Sequence, residues 1–189
     1  MPDGPHMSEP PVSSALLTVP NVITFARLCA VPLAVWLVLQ HRMEEAFYLF
    51  VAAGISDAVD GWLARRGAGS ALGAILDPVA DKALLVTMYI TLAAVAALPD
   101  WLAILVVFRD VVIVGGVLML TVTGQRVNIR PLLISKLNTL AQIVLVACTL
   151  FLAGFRLSAP LAQGILIWVV AATTVGSGAA YVLNTVRAR

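Results

Sequence analysis

Four aspartates carry the most specific chemistry in this chain. Asp57, Asp60, Asp77 and Asp81 fall within 25 consecutive residues, although the 189-residue chain has only ten acidic side chains. Residues three or four apart share one face of a helix, so each pair would present both carboxylates to the same side. An ionised Asp costs about 2.5–3.5 kcal/mol at the centre of a membrane helix, and the flanking sequence is strongly apolar. We therefore expect a bound cation to hold the four carboxylates together.

Hard divalent ions are the expected cations. Mg²⁺ and Mn²⁺ prefer carboxylate oxygens, and two such ions about 3.5–4 Å apart are a common clamp for a phosphoryl centre. We predict that the four aspartates bind one or two Mg²⁺ or Mn²⁺ ions, two being expected. Gly61 and Gly73 leave room for a closely approaching group such as a nucleotide, and Arg65 is placed to pair with phosphate oxygens. These residues together indicate phosphoryl transfer from a pyrophosphate substrate.

The helices that must position these residues follow from the composition. Hydrophobic residues make up 61% of the chain and charged residues 12%, against about 45–50% and 25% in soluble globular domains. A membrane helix needs about 20 predominantly apolar residues. We predict an all-α polytopic membrane protein, with a disordered proline-rich tail over residues 1–19 and one transmembrane domain over 20–189. The six predicted spans are residues 22–40, 46–64, 74–97, 101–123, 133–155 and 160–183.

The distribution of basic residues predicts the orientation of these spans. With the N-terminus on the cytoplasmic side, the loops and tail on that side carry seven Lys and Arg residues, and the opposite loops carry two. Because basic loops stay in the cytoplasm, both termini and the aspartate hairpin are predicted at the cytoplasmic face. The plasma (inner) membrane of a bacterium is the expected location. The net charge of +2 gives no reason to expect a nucleic-acid partner.

Two other hypotheses fit the same carboxylates. In the first, the aspartates only form ion pairs with Arg65, Arg66 and Lys82, but four acids against three bases leave excess negative charge. In the second, the protein is a small transporter that moves cations or protons. Relay acids usually lie near the middle of the membrane on several helices, whereas these four lie on one hairpin. A requirement for a cytidine nucleotide would separate the enzyme from the transporter.

The aspartate motif resembles the signature of the CDP-alcohol phosphotransferases. These are membrane enzymes that move a phosphatidyl group from a CDP-linked lipid onto an alcohol. Seven residues separate the two halves of the motif where many members have eight, but the spacing within each carboxylate pair is kept. The resemblance covers about residues 19–187 and implies the six-helix fold of that family, a homodimer, two divalent ions and release of CMP. The matching residues are Asp57-x-x-Asp60-Gly61-x-x-Ala64-Arg65 and Gly73-x-x-x-Asp77-x-x-x-Asp81.

The same resemblance implies roles for individual residues. Asp57, Asp60 and Asp77 would be metal ligands, and Asp81 would be a metal ligand or the general base that takes the acceptor proton. The opening Pro20-Asn21-x-x-Thr24-x-x-Arg27 is also similar to the family. The residues implied to line the CDP pocket are Asn21, Thr24, Gly61, Arg65 and Gly73.

Two later stretches bear on the acceptor alcohol. They resemble the mitochondrial-type cardiolipin synthases and their bacterial relatives, which implies CDP-diacylglycerol and phosphatidylglycerol as substrates, and cardiolipin and CMP as products. Phosphatidylglycerophosphate synthases, whose acceptor is glycerol 3-phosphate, share the region 57–82 nearly as well and are the alternative. The two stretches are Arg109-Asp110-Val111 and Ile134-Ser135-Lys136-x-Asn138-Thr139-x-x-Gln142.

Either acceptor carries a phosphate, so cations are expected to bind it. Arg109 is the leading candidate, because a guanidinium well inside the fourth span needs a partner. Lys136 and Arg126 are further candidates for acceptor binding. The alternative for Arg109 is a buried pair with Asp110 or with the aspartate cluster.

Overall fold

The computed structural model describes residues 19–63, 71–122 and 133–187, and side chains over 25–59, 80–116 and 133–181. These residues form six α-helices, and no strand occurs among them. Both ends of each helix lie within four residues of a predicted span, so the all-α prediction is confirmed. The helices are α1 (Val19–Leu39), α2 (Met43–Leu63), α3 (Ala71–Ala94), α4 (Asp100–Val122), α5 (Leu133–Gly154) and α6 (Pro160–Arg187).

Much of the bundle surface is apolar. Among the described residues, two stretches are long and apolar enough to cross a membrane, Leu133–Gly154 in α5 and Pro160–Tyr181 in α6. Large apolar side chains are also exposed on other helices, such as Phe25 on α1 and Ile104 and Phe108 on α4. Extended apolar surface is disfavoured in water. The structure therefore supports association with a membrane, while the number of spans stays a prediction.

Three described turns join the helices in pairs, α1 to α2, α3 to α4 and α5 to α6. Each turn contains one residue in the left-handed conformation, with φ of 57° at His41, 57° at Ala96 and 53° at Arg156. In each turn the N–H of the next residue donates to the carbonyl five residues earlier, at 2.8 Å. This pattern satisfies a carbonyl at the helix end and reverses the chain. Each pair of helices is therefore a tight hairpin.

The three turns lie at the same end of the bundle. A Cβ added at Gly154, the last residue of α5, would stand 2.7 Å from the backbone of Glu44 at the start of α2. The side-chain amide of Gln163, near the start of α6, donates to the carbonyl oxygen of Ala97 at 3.1 Å. These two contacts connect the third hairpin to the first and to the second.

The interior of the bundle has an apolar part and a charged part. Most of the apolar core lies between the three turns and the middle of the helices. The charged interior lies beyond it, toward the other end, where a buried charge is tolerated only with partners. This arrangement places the predicted site at the end away from the turns. The largest fully buried apolar side chains are Tyr89, Met88, Leu92, Leu102, Leu145 and Leu150, and the buried charged residues among those described are Arg27, Arg109 and Asp110.

Candidate active site

Asp57 and Asp81 meet at a single arginine. Arg27 on α1 donates from Nη1 to Oδ1 of Asp57 on α2 at 2.9 Å, and from the same nitrogen to Oδ1 of Asp81 on α3 at 2.6 Å. The Arg27 side chain is 1% exposed, whereas the two aspartate side chains are 44% and 42% exposed. One residue from each carboxylate pair of the sequence motif is thus brought to the same point.

Helix packing explains why these three side chains converge. α1 packs against both α2 and α3, so a long side chain on its inner face can reach both neighbours. Small buried residues adjoin the aspartates, with Ala53 one turn before Asp57 and Ala80 next to Asp81. Small side chains let helices approach closely in a membrane. A buried guanidinium also needs acceptors, and the two carboxylates supply them.

The two described carboxylates fit the predicted divalent ion. Both side chains are about half exposed, so part of each carboxylate faces away from Arg27 and the buried interior. Carboxylate oxygens of this kind suit Mg²⁺ or Mn²⁺. Asp60 follows Asp57 by one turn of α2, and Asp77 precedes Asp81 by one turn of α3. Their side chains lie outside those described, and the described side chains alone include no group of three potential ligands.

The predicted nucleotide pocket falls mostly outside the described side chains. Asn21, Thr24, Gly61 and Gly73 lie on described helices, but their side-chain positions are not among those described, and Arg65 lies outside the described residues altogether. Along α1, positions 21, 24 and 27 follow one another at intervals of three residues. The CDP-binding assignments therefore stay predictions.

Sequence reasoning missed the position of Arg27. The residue appeared only as the last position of the motif that opens the first span, and no role was assigned to it. A signal was available, because Arg27 is a single charge within an apolar segment and such residues usually have a partner. The hypothesis that Lys82 pairs with the aspartate cluster is wrong for the described residues, since its Nζ lies 2.9 Å from Oδ1 of Asp110.

A second ionic cluster surrounds Arg109 on α4. Its Nη1 donates to Oδ1 of Asp110 at 2.8 Å. Its Nη2 donates to Oγ of Ser135 on α5 at 2.8 Å and also to Oγ of Ser177 on α6. The residue is 6% exposed. Arg109 thus forms the buried pair with Asp110 that the alternative hypothesis expected, and it also connects α4 to α5 and α6.

Buried amides on α5 extend the cluster around Arg109, and the two together are called the polar seam. Asn138 is fully buried, and its Oδ1 accepts hydrogen bonds from Thr173 and Thr174 of α6, both at 2.9 Å. One turn further on, Gln142 is 2% exposed. The side-chain NH₂ groups of both amides, and Nε of Arg109, have no acceptor among the described residues. Buried donors without acceptors cost about 1–3 kcal/mol each, so the seam is suited to a water molecule or another group rich in oxygen.

Two other residues are predicted to bind the acceptor substrate, and neither has a described contact with the polar seam. Lys136 is exposed on α5, adjacent in sequence to Ser135. Arg126 lies outside the described residues. The structure therefore brings Arg109 together with Ser135 of the later motif. Binding of the acceptor substrate by Arg109, Lys136 or Arg126 stays a prediction.

This chain is similar in sequence to known phosphatidyltransferases. The family model described as CDP-alcohol phosphatidyltransferase matches residues 17–176. A Schizosaccharomyces pombe fusion protein named cardiolipin synthase (CMP-forming) / mitochondrial hydrolase is 34% identical over 92% of this chain and 32% of its own length. The cardiolipin synthase (CMP-forming) of Rattus norvegicus is 32% identical over 87% of this chain and 60% of its own. The chloroplastic CDP-diacylglycerol–glycerol-3-phosphate 3-phosphatidyltransferase 1 of Oryza sativa subsp. japonica is also 32% identical, over 87% of this chain and 56% of its own.

This chain spans about a third to three fifths of the length of those relatives. The region matched by the family model contains the whole aspartate motif, Arg27 and the Arg109 cluster except Ser177, which lies one residue beyond it. The matched region covers most of the chain, and the match agrees with the resemblance of the aspartate motif to the signature of this family. The chain belongs to the CDP-alcohol phosphatidyltransferase family.

Proposed function

We propose that this protein transfers a phosphatidyl group from CDP-diacylglycerol to phosphatidylglycerol, giving cardiolipin and CMP. The observation that carries the proposal is the convergence of Asp57 and Asp81 from two helices at one half-exposed point. Membership of the family supports phosphatidyl transfer, and relatives named cardiolipin synthase support the acceptor.

Four carboxylates would hold the metal in this proposal, those of Asp57, Asp60, Asp77 and Asp81. When bound there, Mg²⁺ or Mn²⁺ would neutralise the pyrophosphate of the donor and stabilise the charge on departing CMP. The chain itself supplies the orientation, because the described pair of carboxylates is held from its inner side by Arg27. Asn21, Thr24, Gly61, Arg65 and Gly73 are proposed to line the CDP pocket.

The proposed reaction is an in-line displacement at the phosphorus atom that carries diacylglycerol. The acceptor hydroxyl oxygen forms a bond to this phosphorus, and the bond from the phosphorus to the bridging oxygen breaks. CMP leaves with that oxygen and the electron pair. Asp81 is the proposed acceptor of the hydroxyl proton, through the carboxylate oxygen that Arg27 does not contact. The proton is proposed to move to Asp81 late in a loose transition state, because a carboxylate is a weak base.

The acceptor phosphate is proposed to bind beside α4 and α5. Arg109 keeps one donor, Nε, that is buried without an acceptor among the described residues. Lys136 is exposed nearby on α5, and Arg126 is retained as a third cation. Phosphatidylglycerol would approach from the bilayer, since exposing its acyl chains to water costs about 0.8 kcal/mol per CH₂. We further propose six membrane spans, a homodimer, and an active site at the cytoplasmic face of a bacterial plasma membrane.

Synthesis of phosphatidylglycerophosphate is the second candidate function. The rice glycerol-3-phosphate 3-phosphatidyltransferase matches this chain at the same identity and over the same share as the rat cardiolipin synthase. Sequence identity therefore does not separate the two acceptors. A dianionic phosphate monoester would need more than one cation, and Arg126, Arg130 and Lys136 could provide them.

Product analysis by mass spectrometry tests the proposal. Purified protein would be incubated with CDP-diacylglycerol and Mn²⁺, and with phosphatidylglycerol or glycerol 3-phosphate in separate reactions. Cardiolipin and CMP are expected from the first reaction. Phosphatidylglycerophosphate from the second, without cardiolipin from the first, would replace the first candidate by the second.

A further inference from the structure

We propose that Arg27 is a positioning residue of the metal site. In this inference it holds the carboxylates of Asp57 and Asp81 together and neutralises one of their charges before a divalent ion binds. The inference rests on the proposed function, because it takes these carboxylates as metal ligands. It does not require Arg27 to touch either substrate.

The contact geometry places Arg27 behind the two carboxylates. Both hydrogen bonds leave one nitrogen, Nη1, and reach one oxygen of each carboxylate at 2.9 and 2.6 Å. The arginine is 1% exposed, whereas the aspartates are 44% and 42% exposed. The guanidinium therefore contacts the two carboxylates from the buried side, and their exposed parts are where an ion would approach.

The charges explain why such a cation is needed. Two carboxylates that contact the same atom repel each other, and the repulsion is only partly screened because each is about half exposed. A buried charge left without its partner is strongly destabilising. Arg27 compensates one of the two negative charges, and a divalent ion would compensate what remains. If Arg27 is replaced by a neutral residue, the bound ion should stabilise the protein more, because it then compensates a larger negative charge.

Thermal unfolding of the full-length protein in detergent tests this role. The apparent Tm would be measured in EDTA and in Mn²⁺ for the wild type, Arg27→Gln and Arg27→Lys. In EDTA, Arg27→Gln should unfold at a lower temperature than the wild type. Its rise in Tm on adding Mn²⁺ should be at least ~2-fold larger, because a ligand that binds only the native state offsets the lost compensation. Arg27→Lys should lie closer to the wild type than Arg27→Gln does, because it keeps the positive charge and an ammonium group can donate to both carboxylates.

Arg109→Gln is the matched control. Arg109 is also a buried arginine, 6% exposed, but its described partners are Asp110, Ser135 and Ser177. The substitution should lower the Tm in EDTA and leave the Mn²⁺-induced rise equal to that of the wild type. A purely structural role for Arg27 would give the same pattern as this control.

Every outcome of these Tm measurements either supports the positioning role of Arg27 or overturns it. An equal Mn²⁺-induced rise in Arg27→Gln and the wild type would overturn the positioning role and leave the proposed function standing. An Arg27→Gln protein that folds only with Mn²⁺ would support the role. A protein that fails to fold with Mn²⁺ as well would overturn it, because a charge role predicts rescue. Absence of any Mn²⁺ effect on the wild type would overturn the role together with the metal site, and product analysis would show separately whether phosphatidyl transfer survives.

Discussion

Asp81 and Lys82 are neighbours on α3, yet their side chains belong to ion pairs with different helices. Asp81 accepts a hydrogen bond from Arg27 of α1 at 2.6 Å, and Lys82 lies 2.9 Å from Asp110 of α4. Successive residues on a helix point about 100° apart, so α3 faces both clusters at the same level. α3 therefore contributes side chains to both the proposed donor site and the proposed acceptor site.

The Asp81 carboxylate is the first target for substitution. Asp81→Asn should lower the turnover of CDP-diacylglycerol at least ~100-fold, because it removes a charged ligand and the proposed proton acceptor. Binding of CDP-diacylglycerol should remain measurable. Asp100→Asn is the control, since Asp100 is an exposed residue at the turn end of α4, and its rate should stay close to that of the wild type. A near-normal rate in Asp81→Asn would exclude the base role.

Substitution of Arg109 tests the acceptor site. Arg109→Ala should raise the KM for phosphatidylglycerol far more than the KM for CDP-diacylglycerol. It should also lower the stability, but by less than the about 3–5 kcal/mol expected for an unpaired buried charge, because Asp110 keeps Lys82 as a partner. Assays below the reduced Tm separate the two effects. Arg42→Ala removes an exposed arginine that pairs with Glu45 near the turns, and neither KM should change. Equal changes in both KM values for Arg109→Ala would contradict an acceptor-specific role.

Close packing at Gly154 predicts a large effect on stability. A Cβ at this position would lie 2.7 Å from both Cα and N of Glu44, and backbone atoms cannot move aside as a flexible side chain can. Gly154→Ala should therefore lower the free energy of unfolding by about 1–3 kcal/mol. Gly164→Ala is the control, because no atom lies within 4 Å of its added Cβ. That variant should be neutral or more stable by up to about 1 kcal/mol, as measured by thermal unfolding in detergent.

The turn at Ala96 offers a stabilising substitution. Ala96 has φ of 57°, a conformation that costs a residue with a Cβ about 1–2 kcal/mol. Part of the gain from glycine is offset by the greater freedom of the unfolded chain, so Ala96→Gly should stabilise the protein by about 0.5–1 kcal/mol. Ala52→Gly, at an exposed position inside α2, should instead destabilise it by about 1 kcal/mol. The same sign for both variants would contradict the turn geometry.

Local pattern predicted the helices well and the contacts between them poorly. Apolar runs bounded by Pro99-Asp100 and by the polar segment before Leu133 gave helix ends close to those observed, because these signals lie along the chain itself. Helical spacing also predicted that the aspartate pairs could meet. The partners of Arg27 and Lys82 depend on which helices pack together and how they rotate about their axes. Residue spacing carries no information on either, so these contacts appeared only in the folded chain.

The most direct test of the central claim is CMP release from CDP-diacylglycerol by the purified protein. Reactions would contain Mn²⁺ or excess chelator, with and without an acceptor, and Asp57→Asn would serve as the ligand-deficient variant. We expect CMP only when the divalent ion, the acceptor and the intact aspartate are all present. Full CMP release in excess chelator, or no release with either phosphatidylglycerol or glycerol 3-phosphate, would contradict metal-dependent phosphatidyl transfer at these carboxylates.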